Sequence, residues 1–169
     1  DILAVNIMMQ TDKEAAERLL KNVGNDVRRL SHELIPPRFD NASLSELVCT
    51  YCQSMSAENG TIVKPFVSRS FEKLNLPSRT ALEVYRIVQE SVSNAIKYGY
   101  SKMITVTLDA SNNQASLCIA NDISREHPIT QGKMGIGKDT LKMRTEALKA
   151  ILTISEQDEE YKVEVRFPL

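Results

Sequence analysis

Glu90, Asn94 and Lys97 stand at i, i+4 and i+7 in the run QESVSNAIKYG. In a helix that spacing brings all three to one face. A carboxylate, an amide oxygen and an ammonium in one row can act as a base or hold a water, ligate magnesium and meet a phosphate oxygen. The same spacing also suits a solvated face that carries a glutamate and a lysine. Gly132, Gly135 and Gly137 in GKMGIGKDT precede an expected helix start near Thr140. Glycines let backbone amides approach an anion, and a helix N-terminus adds unpaired donors, which suits a triphosphate; glycines also simply make loops. Asn121 and Asp122 in LCIANDIS offer an acceptor for an adenine amino group, or equally a turn. His32, in RLSHELIPP, is a nucleophile able to take a phosphoryl group, or the end of a helix before two prolines.

These residues need elements to hold them. Val84, Val88, Val92 and Ala95 supply much of a core-facing stripe opposite Glu90, with Leu82 and Tyr85 nearby, so a long helix is expected over 78–98. Two β-rich runs, 103–108 and 115–120, are separated by a loop composition at 111–114. Residues 122–137 have no period and read as a mobile loop. A helix over 139–150 and strands near 152–155 and 162–167 follow. Upstream, Ser43 and Glu46 form a capping box that opens a helix to about Ala57, and 61–68 reads as a strand that Pro65 pushes to a sheet edge. Helices segregated from strands predict an α+β sandwich, one sheet under a helical layer.

Residues 1–9 read as the end of one helix, and a capping box at Thr11 and Glu14 opens a second. Its apolar stripe runs through Ala15, Leu19, Leu20, Val23, Val27, Leu30 and Leu34, interrupted by Gly24, until Pro36 and Pro37 stop it. A lone hairpin buries too little, so pairing with a second copy as a four-helix dimer is expected. The chain enters this pattern at Asp1 without a methionine, as a helix cut from a longer protein would.

A chain of 169 residues holds one ordinary domain and a modest extra element. Its 21 basic and 22 acidic residues give no pull toward nucleic acid or anionic lipid. No apolar stretch approaches the roughly 20 residues that span a bilayer. Three cysteines make no disulfide framework and fit a reducing cytosol. Cys49 and Cys52 match C-x-x-C, but they sit in a helical pattern without a second ligand pair, which favours packing over redox or zinc chemistry.

The order of the motifs resembles the ATP-binding domain shared by sensor histidine kinases, gyrase-type topoisomerases and MutL-type repair proteins. Within that group the likeness is to the histidine kinases. LEVYRIVQESVSNAIKYG is similar to their N box; GIG followed by LKMRTEALKAILTIS is similar to their last glycine box, with Arg144 in it; VEVRFPL is similar to their closing strand. The resemblance implies an ATP-binding α/β sandwich, a mixed sheet under helices, over 38–169, preceded by a truncated dimerisation hairpin over 1–37. It implies that Asn94 chelates magnesium, Glu90 assists the chemistry and Lys97 contacts phosphate. Gly135 and Gly137 would cradle the phosphates of ATP under a lid, with Tyr98, Ile136 and Thr140 also at the nucleotide. Asn121 or Asp122 would meet adenine. The sequence departs from the family at Ile123 and Ser124, where a glycine is usual, and at Lys138, where an apolar residue is usual.

A nitrate-sensor and thermosensor-like subfamily ends its second hairpin helix with a stretch similar to RLSHELIPP. On that likeness His32 is a helix-end residue near a hinge, and the phosphoacceptor lies upstream. The implied partners are a second copy of the chain, a response-regulator receiver domain and an upstream sensor region, in or facing the cytoplasm. Two alternatives stay open: a nucleotide-insensitive docking module, and a serine-phosphorylating relative of anti-sigma type.

Overall fold

The computed structural model describes residues 13, 15, 17, 19, 20, 23, 24, 42–98, 102–122, 135–157 and 159–169. The chain divides into two compact units, Asp1–Pro37 and Arg38–Leu169. In the first, the described residues are helical, Gly24 included. The first helix of the expected hairpin, the Thr11 capping box, Val27, Leu30, His32, Leu34 and the two prolines lie outside the described residues.

The second unit is a mixed α+β fold. Helix α1 (Leu44–Asn59) begins at Ser43, whose Oγ accepts from the Glu46 amide while the Glu46 carboxylate accepts from the Ser43 amide at 2.7 Å. That is the expected capping box. The helix runs two residues past Ala57 and ends at Gly60, whose φ of 69° is the left-handed conformation that glycine adopts at least cost. Strand β1 (Ile62–Val67) follows, then a single turn of helix, α2 (Arg69–Glu72), capped by Ser68 and seated by the buried Phe71. Sequence periodicity has no power over four residues, and α2 was not expected. Helix α3 spans Ser78–Tyr98, as read from its stripe.

Strands β2 (Met103–Ser111) and β3 (Gln114–Asp122) form a hairpin longer than the two apolar runs suggested. Asn112 and Asn113 both take positive φ, 50° and 62°, so the turn needs two residues and Ser111 pairs with Gln114. Two left-handed residues give a turn whose twist matches that of the strands. Helix α4 (Gly135–Ala147) and strands β4 (Ile151–Gln157) and β5 (Glu160–Pro168) complete the unit. The sheet order is β1-β2-β3-β5-β4, with β1 parallel to β2 and every other pairing antiparallel. Pro65 thus sits on an edge strand, where its missing amide costs least.

One face of the sheet is covered. Ile104, Val106 and Leu108 of β2, Leu117 and Ile119 of β3, and Val163, Val165 and Phe167 of β5 alternate inward and are sealed. Against them α3 buries Val84, Val88 and Val92 completely. It also buries Ile87, Gln89 and Ser91, outside the expected stripe, and α1 packs on the flank that carries Gln89. Tyr51 of α1 meets Tyr85 edge to face at 6.0 Å and donates its hydroxyl to the Gln89 carbonyl at 3.2 Å.

Helix α4 ends three residues before the expected Ala150. Lys149 takes φ 52°, its amide donates to the Glu146 carbonyl, and the Ala150 amide donates to the Thr145 carbonyl at 2.8 Å. This pair of bonds closes a helix C-terminus and normally employs glycine at the left-handed position. Replacing Lys149 by glycine should therefore raise the stability of the chain by about 1 kcal/mol in urea titration. Leu117→Ala, which empties a fully buried site, should lower it by about 2–5 kcal/mol.

Candidate active site

The topology gathers the chemistry-bearing segments at one end of the sheet. Helix α3 delivers Tyr98 five positions ahead of Met103, so its C-terminal half lies where β2 begins. Ile104 pairs with Asn121, so β3 arrives at that same end. Helix α4 finishes just before Ile151, which pairs with Arg166 at the far end, so α4 runs opposite to α3 and its first turn belongs to the Asn121 end.

On α3, Glu90 and Asn94 are half-buried one turn apart, and the Asn94 amide nitrogen donates to Glu90 Oε1 at 3.0 Å. That bond fixes the rotation of the amide. Its oxygen, Oδ1, is then the end of the amide that still has lone pairs to give. Lys97, one turn on, is exposed; Tyr98 is half-buried.

Asn121 and Asp122 part company by strand alternation. Asn121 is 4% exposed on the helix-covered face, and its amide nitrogen donates to the Asp122 carbonyl at 2.9 Å. Asp122 is exposed. The structure thus brings Asn121 to the side of the sheet that carries α3, and leaves Asp122 on the other. Gly135, Ile136 and Gly137 lie in the first turn of α4, where a loop was expected, and Thr140 is half-buried in the second turn. The first amides of a helix have no partner inside it, so glycines there cost little and leave donors available. Gly132 and the rest of the expected lid, 123–134, lie outside the described residues.

No family model matches the chain. Among curated proteins it is 24% identical over 136 residues to the sensor histidine kinase MctS of Rhizobium johnstonii, matching 79% of this chain and 29% of that protein. It is 30% identical over 97 residues to the oxygen sensor histidine kinase NreB of Staphylococcus carnosus, matching 57% of this chain and 27% of that one. The chain therefore spans under a third of either relative. Among solved structures, the histidine kinase domain of the Erythrobacter litoralis EL346 blue-light activated kinase superposes with a TM-score of 0.61 at 15% identity, over 75% of this chain and 61% of that one. The chain has the fold of a histidine kinase catalytic domain. Full-length ShkA, solved in complex with AMPPNP, is also similar, with a TM-score of 0.57 at 14% identity over 92% of this chain and 36% of that one. Together these likenesses support a histidine kinase ATP-binding domain.

Within this histidine kinase fold, one contact between helices was not expected from the sequence. Arg144 of α4 donates through Nη1 to Glu83 Oε2 of α3 at 2.9 Å, a pair 61 residues apart. Glu83 stands seven residues before Glu90, two turns along the same stripe, and that heptad spacing was the available signal. No group of three or more His, Cys, Asp or Glu side chains is gathered for a metal among the described residues. No helix there is long and apolar enough to cross a membrane.

The C-x-x-C pair has a different environment. Cys52 is completely buried in the core, and burial, with a smaller contribution from Cys49, pushes its thiol up to about 12. Cys49 is half-buried and is raised too, mainly by burial and then by Glu72. A thiol held so far above its ordinary value is almost wholly protonated near neutral pH and is a poor nucleophile. With a chromogenic disulfide reagent at pH 8, Cys52 should react only as the chain unfolds, with Cys49 and Cys118 modified before it. Fast labelling of Cys52 in the folded protein would contradict the burial of α1 described above.

Proposed function

We propose that residues 38–169 are the ATP-binding catalytic region of a two-component sensor histidine kinase, and residues 1–37 part of its dimerisation hairpin. The reaction is transfer of the γ-phosphoryl group of magnesium-bound ATP to a histidine, and onward to an aspartate of a response regulator. The observation that carries this reading is the Glu90–Asn94 hydrogen bond, placed at the same end of the sheet as Asn121 and the first turn of α4. The relatives named as sensor histidine kinases, and the AMPPNP complex of a similar fold, support it.

The residues fit magnesium in a particular way. Mg2+ prefers hard oxygen donors and usually takes only one or two from the protein, with substrate phosphates and water supplying the rest. Asn94, with its nitrogen tied to Glu90, offers one such oxygen. When bound, the ion neutralises charge on the phosphates and orients them.

The chain's own residues do the remainder. Asn94 Oδ1 fixes the metal-nucleotide complex, and Lys97 meets a phosphate oxygen. Amides in the first turn of α4, at Gly135 to Gly137, and the nearby Thr140 hydroxyl face the phosphates, where the helix dipole favours negative charge. Asn121, on the helix side of the sheet, takes the adenine contact in preference to Asp122. Ile136 and Tyr98 flank the nucleotide. Glu90 holds the Asn94 amide and accepts the imidazole proton released as nitrogen attacks phosphorus. Such a transfer is mainly positioning and charge neutralisation, and needs no nucleophile from this domain. His32 on this reading closes a hairpin helix ahead of Pro36 and Pro37 and is not the acceptor. A dimer through the hairpin, a receiver-domain partner, an upstream sensor region, a nitrate-sensor-like subfamily and a cytoplasmic setting complete the proposal.

Calorimetry of the chain with magnesium-ATP tests it. Binding is expected for the wild type and is lost at millimolar nucleotide for Asn94→Ala. Wild-type protein that binds no nucleotide would leave the docking-module alternative in its place. In the intact kinase, Glu90→Gln should retain binding while phosphohistidine formation slows by roughly 10²–10⁴-fold. Labelling from γ-labelled ATP should persist in His32→Gln, and a stable phosphohistidine mapped to position 32 would refute that part of the reading.

A further inference from the structure

The ion pair between Arg144 and Glu83 lies at the far end of α3 from the proposed nucleotide site, yet on the stripe that carries it. Glu83, Glu90 and Asn94 are separated by seven and eleven residues, close to two and three whole turns. Helix α4 turns Leu141 and Thr145 inward, both buried like Leu148 just past its end, with Arg144 beside them and half-exposed. Gly137 falls one turn before Leu141 at the same register of α4. From Arg144 back to Gly137 is seven residues, and from Glu83 forward to Glu90 is also seven. Each span is about 10 Å along its helix. Because the two helices run in opposite senses, anchoring Arg144 on Glu83 brings the level of Gly137 to that of Glu90.

The contact is poorly suited to stability alone. Arg144 Nε is sealed from solvent without a hydrogen-bond partner, and the guanidinium reaches Glu83 through Nη1 only. An ion pair that buries an unpaired donor stabilises little, but it fixes one geometry against others. Resting on the ATP-binding reading, we propose that Arg144 is a positioning residue. By gripping Glu83 it sets the first turn of α4 at the height of Glu90 and Asn94, and thereby tunes the affinity of the site for the phosphates of the nucleotide.

The test is calorimetry with magnesium-ATP on the 169-residue chain, at a temperature well below the unfolding transition of every variant. Arg144→Gln should weaken Kd by about five- to tenfold, in the range by which a connecting contact modulates a distant site. Glu83→Gln should weaken it equally, and it answers the question from the other helix if Arg144→Gln fails to fold. Since only one nitrogen is engaged, Arg144→Lys should keep the pair and stay within about threefold of wild type. Variants of both partners that bind within twofold of wild type would overturn the proposal, as would a lysine variant as weak as the glutamine one. Wild-type chain that binds no magnesium-ATP would instead overturn the ATP-binding reading, and this inference with it.

Discussion

The sealing of Val84, Val88 and Val92 against the sheet is what the rest of the second unit depends on. Three β-branched side chains on one stripe have few rotamers to lose and fix the rotation of α3 about its axis. Once that rotation is fixed, the opposite stripe has no freedom either. Glu83, Glu90, Asn94 and Lys97 are then carried as a row by a helix that cannot roll. Burial of roughly three valines supplies several kcal/mol toward this, far more than any polar contact in the row. The apolar side of α3 therefore does the positioning, and its polar side inherits it.

A polar row held this way can be organised by weak contacts. The hydrogen bond from Asn94 to Glu90 contributes modestly to stability, because both groups lose water to make it. Its value is orientation: it decides which end of an amide faces outward. The Arg144 contact does the same for a whole helix. Because the core has already ordered the backbone that bears them, neither contact has to order a helix by itself, and the pair can tolerate the unpartnered Arg144 Nε.

Much of this was legible in the sequence, for reasons particular to each segment. Helix α3 was read to its boundaries because Val84, Val88, Val92 and Ala95 repeat at helical spacing. The edge position of β1 followed from one residue, Pro65. The hairpin strands were underestimated because Ser111 and Gln114 look like loop residues, whereas two asparagines alone can turn the chain. The start of α4 was misplaced because glycines lower helix propensity, a bias that matters in a helix interior and little in the first turn. For the candidate site, spacing placed Glu90 and Asn94 on one helix face, where they hydrogen-bond, and strand alternation could have separated Asn121 from Asp122. The pairing of Arg144 with Glu83 could not be derived locally, since it joins elements 61 residues apart.

The parallel pairing of β1 with β2 has a consequence in time. The β2–β3 hairpin closes over two asparagines, and β4 meets β5 over a similarly short connection. By contrast, Ile62 finds Met103 only after the whole of α3 has been placed between them. Closing that loop costs entropy before the pairing returns anything, so local hairpins form early and the β1 edge docks late. A chain assembled in this order completes the end of the sheet that holds Asn121, beside the Asn94 turn of α3, before its outer strand arrives. Fraying of β1 can then proceed as a local opening, separate from unfolding of the strands and helices that frame the site.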